Sequence, residues 1–183
     1  MLVMDLQIMD ETRKEAEKLI GMKRISEALP LIRQLAHWGD LQAQQELIDV
    51  YYNHKYGVER NLPAAYEYAR LAALNQDVHA MTLLGKLLLN GEGCRKDPDT
   101  ALYFLGKAAD QDDPEAIDEM AMVCLKGLAG PRDLEKARQL NHQALSLTDR
   151  REPENEVQKR IFREIRTHAE MIEKYINHFS ENT

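Results

Sequence analysis

The side chains that most often catalyse reactions or bind metals are spread along this sequence without a spacing that would bring them together. No two histidines stand at the interval of a zinc protease, and Cys94 and Cys124 fit no zinc-ligand spacing. The serines lack a Gly-x-Ser-x-Gly context, and Gly91-Glu-Gly93 is not followed by the Gly-Lys-Ser/Thr of a phosphate loop. We therefore predict no catalytic residue, no metal and no cofactor.

The remaining polar candidates have structural interpretations. The six histidines are interpreted as surface or helix-end residues: His37, His54, His79, His142, His168 and His178. The acidic run from Asp110 to Glu115 spans a loop and a helix start, where carboxylates favour the positive end of the helix dipole. Both cysteines are predicted to be free thiols, which suits a reducing compartment.

Composition excludes several classes of protein. The 183 residues suffice for one ordinary domain, and a net charge of −7 argues against a protein that binds a nucleic-acid backbone. No apolar run approaches the ~18 residues of a membrane span. The first residues are too acidic for a signal peptide, so we expect a cytoplasmic protein; a periplasmic one stays open if a signal was removed.

Three series of residues recur at intervals of 36 or 37. They are Ala28, Ala65, Ala101 and Ala137; Ala43, Ala80 and Ala116; and Asp40, Asp77, Asp113 and Asp149. Agreement among three registers predicts a structural repeat of about 36 residues.

Each repeat is predicted to contain two helices. From Ala80, leucines follow at the spacing of one helical face, Gly91-Glu-Gly93 ends that helix, and a second helix runs from Asp99 to about Ala109. The recurring Asp precedes a first helix, where its carboxylate can cap free N–H groups.

Small residues at fixed positions indicate close helix crossings, because helices approach to ~8 Å only where small side chains meet. We therefore expect Ala72, Ala101 and Ala108 to be buried.

This pattern resembles the Sel-one-like repeat, a relative of the tetratricopeptide repeat. The resemblance rests on Ala80-x-x-x-Leu84-Gly85, the Gly91-x-Gly93 turn, Lys96-Asp97-Pro98 and the segment from Ala101 to Ala109. A second copy spans 43–77 and a weaker third spans 116–149. The resemblance implies an all-α, right-handed solenoid of αα-hairpins.

The predicted organisation is a single solenoid domain over 1–183. Its parts are a tetratricopeptide-like hairpin at 10–38, repeats at 43–79, 80–115 and 116–149, and a C-terminal capping helix at 153–179. Within 43–149 we expect six helices and no strand, with breaks near 54–62, 76–78, 91–98, 111–114 and 127–133.

The last helix is amphipathic. Its apolar face carries Val157, Ile161, Ile165, His168, Ile172, Tyr175 and Phe179. We interpret it as a cap for the end of the solenoid; a partner-binding or dimerising helix is the alternative.

The resemblance also implies a concave groove, lined by the first helix of each hairpin, that receives a partner. The predicted groove residues are Asp49, Tyr52, Asn53, Thr82, Lys86, Leu89, Asn90, Asp118, Met122, Leu125 and Lys126. Apolar residues on such a face suggest a contact, although a solvated face is the alternative for each residue. Trp38 is predicted either to pack under the first cap or to contact the partner.

The predicted function is non-catalytic binding of a protein or peptide, as a bacterial adaptor or a toxin-neutralising immunity protein. The acidic balance favours a basic partner surface. The alternative is an enzyme, such as a hydrolase or a β-lactam-binding relative, with an unrecognised site.

Overall fold

The computed structural model describes the backbone of residues 2–180 and the side chains of residues 6–178. Within this range the regular elements are helical and no strand occurs. Contacts divide the described residues into two compact units. Unit 1 runs to Ala80 and includes Glu92–Cys94, and unit 2 holds Met81–Gly91 and the residues from Arg95 onward. That the chain forms a single domain stays a prediction.

Unit 1 contains four α-helices and the start of a fifth. They are α1 (Leu2–Gly21), α2 (Ile25–His37), α3 (Leu41–Tyr52), α4 (Leu62–Leu74) and the first residues of α5 (Val78–Asn90), with a short 3-10 helix at Lys55–Gly57. We expected the first hairpin to begin at residue 10, but α1 begins at Leu2. Neither glycine nor proline interrupts the chain before Gly21, so the helix can extend over these residues.

The core of unit 1 includes Tyr51. The ring of Tyr51 stacks on that of Tyr68 with 6.0 Å between centroids. Its hydroxyl accepts hydrogen bonds from Nε and Nη2 of Arg33 at 2.9 and 2.6 Å. A buried phenol therefore has a partner for its polar end, as burial requires.

Unit 2 contains most of α5 and four further helices. These are α6 (Pro98–Ala109), α7 (Pro114–Lys126), α8 (Leu134–Asp149) and α9 (Glu156–Ser180). The six helices and the breaks predicted within 43–149 are confirmed.

Three of the four recurring aspartates cap a first helix. Asp40 and Asp77 accept from backbone N–H groups three residues ahead at 2.8 Å, and Asp113 does so at 3.2 Å. The same expectation for Asp149 is wrong, because α8 continues to that residue. Asn155 caps α9 instead, accepting from a backbone N–H at 2.9 Å.

The small residues stand at close helix crossings. Ala72, Ala101 and Ala108 are fully buried, as expected. At Gly85 a Cβ atom would lie 2.6 Å from Cγ of Leu105, a distance that requires a neighbour to move. The side-chain sizes on these helices therefore match the spacing at which the helices pack.

Helix α9 covers α7 and α8, so the predicted cap is confirmed. Ile172 packs with Met122 and Leu125, and Ile165 packs with Ile117 in a second cluster. Val157 and Tyr175, from the same predicted apolar face, stay 55% and 41% exposed, and the side chain of Phe179 lies outside the described residues.

Candidate functional site

In unit 1, side chains of two first helices bind the cap of the next first helix. Arg13 on α1 donates to the carboxylate of Asp40, which caps α3. Gln45 on α3 donates from Nε2 to Oδ2 of Asp77, which caps α5, at 2.8 Å. Gln45 follows the leading alanine of its repeat by two residues. This position therefore faces the next first helix rather than an open groove.

The corresponding position in unit 2 makes the same contact. Thr82 donates from Oγ1 to Oδ2 of Asp113, the cap of α7, at 2.6 Å. Further along α5, Nζ of Lys86 lies 2.6 Å from Oε1 of Glu115 and 3.4 Å from Oε1 of Glu119. Burial raises the pKa of Glu119, and the charge of Lys86 opposes that rise. These side chains of α5 are thus engaged by α7.

Asp118 occupies the same position in the third repeat, and its partner lies on α9. Its Oδ2 atom is 2.5 Å from Nδ1 of His168, and its Oδ1 accepts from Nδ2 of Asn141 at 2.7 Å. That Asn141 amide also donates to the carbonyl of Ile165 at 3.1 Å, while its buried Oδ1 has no hydrogen-bond partner among the described residues.

His168 is therefore not the surface or helix-end residue that we expected. The hydrogen bond that His168 donates to Asp118 raises the pKa of His168, and burial acts against that rise. A polar side chain within an otherwise apolar face was the available sequence signal. With respect to Asp118, α9 thus takes the place that the next first helix takes with respect to Thr82.

Five of the predicted groove residues are buried, which corrects the expectation that they line an open surface. They are Thr82, Leu89, Asp118, Met122 and Leu125, with 2 to 7% of their surface exposed. Thr82 and Asp118 bind a neighbouring helix, and Met122 and Leu125 pack against α9. These four side chains are buried because a neighbouring helix covers the face of the first helix on which they lie.

The other six predicted residues are exposed or half-buried: Asp49, Tyr52, Asn53, Lys86, Asn90 and Lys126. The guanidinium of Arg60 lies 4.8 Å from the ring centroid of Tyr52, and Asn53 donates to Asp49 at 2.9 Å. Trp38 is 42% exposed and so is not packed beneath the first hairpin. Their contact with a partner stays a prediction.

Unit 1 contains an open cleft of about 170 Å³ between α1 and α3. Its walls come from these two first helices, and α2 lies behind them. The cleft is lined by Arg13, Ala16, Glu17, Ile20, Ile32, Leu35, Asp40, Gln42, Ala43, Glu46 and Tyr56. This cleft is not evident in the sequence, because its apolar lining residues have the spacing of an ordinary helical core.

Glu46 organises one side of the cleft. Its Oε2 accepts from Nζ of Lys55 at 2.6 Å, and its Oε1 accepts from the hydroxyl of Tyr56 at 2.5 Å. Burial lowers the pKa of Lys55, but the hydrogen bond and charge of Glu46 outweigh burial and leave that pKa raised. Burial and the same carboxylate raise the pKa of Tyr56. Lys55 therefore stays charged and Tyr56 stays neutral at physiological pH.

The backbone beside Glu46 is held in a conformation that side chains seldom adopt. His54 and Tyr56 have φ values of 57° and 59°, in the left-handed region that favours glycine. Each such residue costs about 1 kcal/mol or more and tends to mark a functional position. Neither position is glycine, so the sequence does not indicate this turn.

The metal-ligating side chains of the described residues lie apart from one another. No group of three or more His, Cys, Asp or Glu side chains in this part of the chain is placed to hold a metal ion. The side chains of Cys94 and Cys124 are half-buried, and burial raises the pKa of both thiols. None of the helices that the structure describes has the length and apolar character needed to cross a membrane.

Among solved structures, two illustrate what this chain is similar to. A Sel1 repeat protein from Oxalobacter formigenes is 24% identical with a TM-score of 0.62, over 68% of this chain and 49% of that one. The protein c5321, described as a protective antigen of uropathogenic Escherichia coli strains with an SLR fold, is 21% identical. Its TM-score is 0.45, over 84% of this chain and 41% of that one.

The chain thus spans less than half the length of either solved relative. The first of these similarities confirms the fold class, an all-α solenoid of αα-hairpins. A comparison with curated proteins gives no significant match. The model of the Sel1 repeat matches three consecutive segments, at residues 51–77, 78–113 and 114–149. Because these segments cover more than half of its 183 residues, the chain belongs to the Sel1 repeat family.

Proposed function

We propose that this protein is a non-catalytic interaction module that binds a segment of another protein on the first-helix side of unit 1. Sel1 repeats generally mediate protein–protein interactions. The observation that carries the proposal is the open cleft between α1 and α3, with Asp49 and Tyr52 further along α3 and Asn53 as its C-cap. On α7 of unit 2, by contrast, α9 covers the predicted residues Met122 and Leu125.

The partner surface that this face suits is basic. Glu17, Glu46 and Asp49 lie on or beside the cleft, and the chain as a whole carries a net charge of −7. Opposite charge on two partners raises the association rate and disfavours wrong partners. Within this class, we propose an adaptor or an immunity protein that neutralises a toxin, because such inhibitors work against basic surfaces. We also propose a cytoplasmic setting, where reducing conditions keep cysteine side chains as thiols.

The test is partner capture with matched variants. The tagged protein is used to capture partners from the source organism, and mass spectrometry identifies what it retains. Tyr52→Ala should weaken binding of the identified partner by ~1–3 kcal/mol, because large aromatic side chains dominate interface energies. Glu67→Ala, on an exposed part of α4, is the control and should bind like the wild type.

Equal binding by wild type and Tyr52→Ala, with loss in Glu67→Ala, would place the interface on the second helices and refute this proposal. Circular dichroism of each variant shows whether the fold is intact.

A further inference from the structure

The size of the cleft in unit 1 limits what it can hold. About 170 Å³ is close to the ~150 Å³ of a cavity that takes a single benzene ring. It is below the ~300–1,000 Å³ typical of sites for cofactors and drug-sized ligands. The space therefore fits one long side chain of a partner rather than a small-molecule ligand.

The lining of the cleft is divided between hydrocarbon and carboxylate. Ile20, Ile32 and Leu35 supply an aliphatic floor, and Glu17 and Glu46 lie among the polar lining residues. Glu17 is exposed, so an incoming group reaches it from solvent. Lysine and arginine have this same division, since their aliphatic stems bury while their charged ends stay near polar groups.

The positive charge already present in the cleft is neutralised. Arg13 is bound to Asp40 and lies 2.9 Å from Asp10, so two carboxylates share its charge. Lys55 is shared in the same way between Glu46 at 2.6 Å and Asp49 at 3.6 Å. Glu17 forms no ion pair within residues 6–178 and adds a further negative charge. The local field therefore favours a cation.

An internal lysine shows that the edge of the cleft stabilises an ammonium group. Besides its contacts with Glu46 and Asp49, Nζ of Lys55 lies 5.4 Å from the ring centroid of Tyr56. Carboxylates and an aromatic face together are the usual environment of a bound ammonium ion.

From these features we infer that the cleft receives a single lysine or arginine side chain of the partner. Its stem lies on Ile20, Ile32 and Leu35, and Glu17 and Glu46 bind its charged end. This inference rests on the proposed function and adds the chemistry that the partner must present: a basic residue that stands out from the partner's surface.

Small organic cations test the inference without a known partner. The probes are n-butylammonium and n-butylguanidinium, which reproduce the ends of lysine and arginine, with n-butanol and butyrate as matched neutral and anionic probes. Methyl resonances of the full chain are followed by NMR during titration with each probe. Saturable shifts confined to Ile20, Ile32 and Leu35 are expected with the two cations, and none of comparable size with butanol or butyrate.

Two variants of α1 test whether the carboxylate of Glu17 binds the cation. Glu17→Gln should weaken cation binding by about five- to tenfold, the loss of one charge-assisted contact. Glu15→Gln changes an exposed carboxylate that pairs with Lys18 away from the cleft, and should bind like the wild type. Shifts that are absent, that are equally large with butanol, or that weaken equally in both variants would overturn the inference.

Partner capture separates this inference from the proposed function. Loss of capture in both Tyr52→Ala and Glu17→Gln supports both. Capture that is lost in Tyr52→Ala but unchanged in Glu17→Gln refutes the basic side chain and leaves the interaction surface in place. Capture that is unchanged in both variants overturns the proposed function, and the cation titration then still decides whether the cleft selects a basic group.

Discussion

Replacing His168 with alanine should destabilise unit 2, because it leaves a buried carboxylate with too few partners. Asp118 is 3% exposed, and its two oxygens are bound by His168 and Asn141. In the His168→Ala variant only the Asn141 amide remains. Removing one member of a fully buried ion pair costs ~3–5 kcal/mol. The His168 side chain is 23% exposed, so water can reach the Asp118 carboxylate in the variant, and we expect about 2–3 kcal/mol.

The sign of the pH dependence follows from the direction of the pKa shift. The hydrogen bond that His168 donates to Asp118 raises the pKa of His168 in the native state; Glu119 acts in the same sense, and burial and Lys126 act against it. A raised native pKa gives stability that is fully present below the unfolded value of about 6.5 and is lost as pH rises through the native value. The stability difference between wild type and His168→Ala should therefore be larger at about pH 6 than at about pH 9.

Denaturant unfolding followed by far-ultraviolet circular dichroism measures the effect at each pH. His142→Ala on α8 is the control, because that side chain is 58% exposed and should change stability by less than ~0.5 kcal/mol. Asp118→Asn and the double variant complete a cycle whose coupling energy should exceed ~1 kcal/mol. Equal destabilisation by His168→Ala and His142→Ala, or additive effects in the cycle, would refute the role assigned to this pair.

Three further substitutions test the packing. Gly93→Ala should cost about 3 kcal/mol, because φ is +75° and a Cβ atom would lie 2.2 Å from the carbonyl oxygen of Leu62. The control in thermal melting is Gly57→Ala, where φ is +73° but nothing lies within 4 Å of the added Cβ atom, and its loss of stability should be much smaller. Ala108→Leu should lower the melting temperature by several degrees, because overpacking at this buried position costs ~1–3 kcal/mol. Lys107→Leu, at an exposed position, should not lower it, and equal melting temperatures of the two variants would show that the helical register is wrong. Asp77→Ala should cost ~1–2 kcal/mol in denaturant unfolding, because it removes a helix cap and the partner of Gln45. The control is Asp110→Ala at an exposed position, and an equal loss of stability in the two variants would contradict this prediction.

The repeat fold was predictable because its signals are local. Alanine at Ala72, Ala101 and Ala108 recurs where helices cross, and an aspartate precedes each of three first helices at the distance of a cap. Both signals depend on contacts that hold each hairpin together. Asp149 breaks the pattern because the second helix of its repeat is longer, which the recurrence of one residue type does not reveal.

The face of the first helices was harder to predict. Helical spacing shows which residues share a face, but not which neighbouring helix that face meets. Thr82 and Asp118 therefore looked like groove residues, although Thr82 binds the cap of α7 and Asp118 binds His168 on α9. The cluster around Glu46 depends on left-handed backbone at His54 and Tyr56, where glycine would have been the expected residue.

The shared caps bear on how the hairpins unfold. Each of Asp40, Asp77 and Asp113 binds both the first turn of its own helix and a side chain of the preceding first helix. Loss of the preceding side chain thus weakens the start of the next helix, even where that helix keeps its own packing. In the statistical description of repeat proteins, such a contact belongs to the nearest-neighbour term rather than to the intrinsic stability of a repeat. Amide exchange at the first turns of α3 and α7 consequently reports the integrity of the preceding first helix.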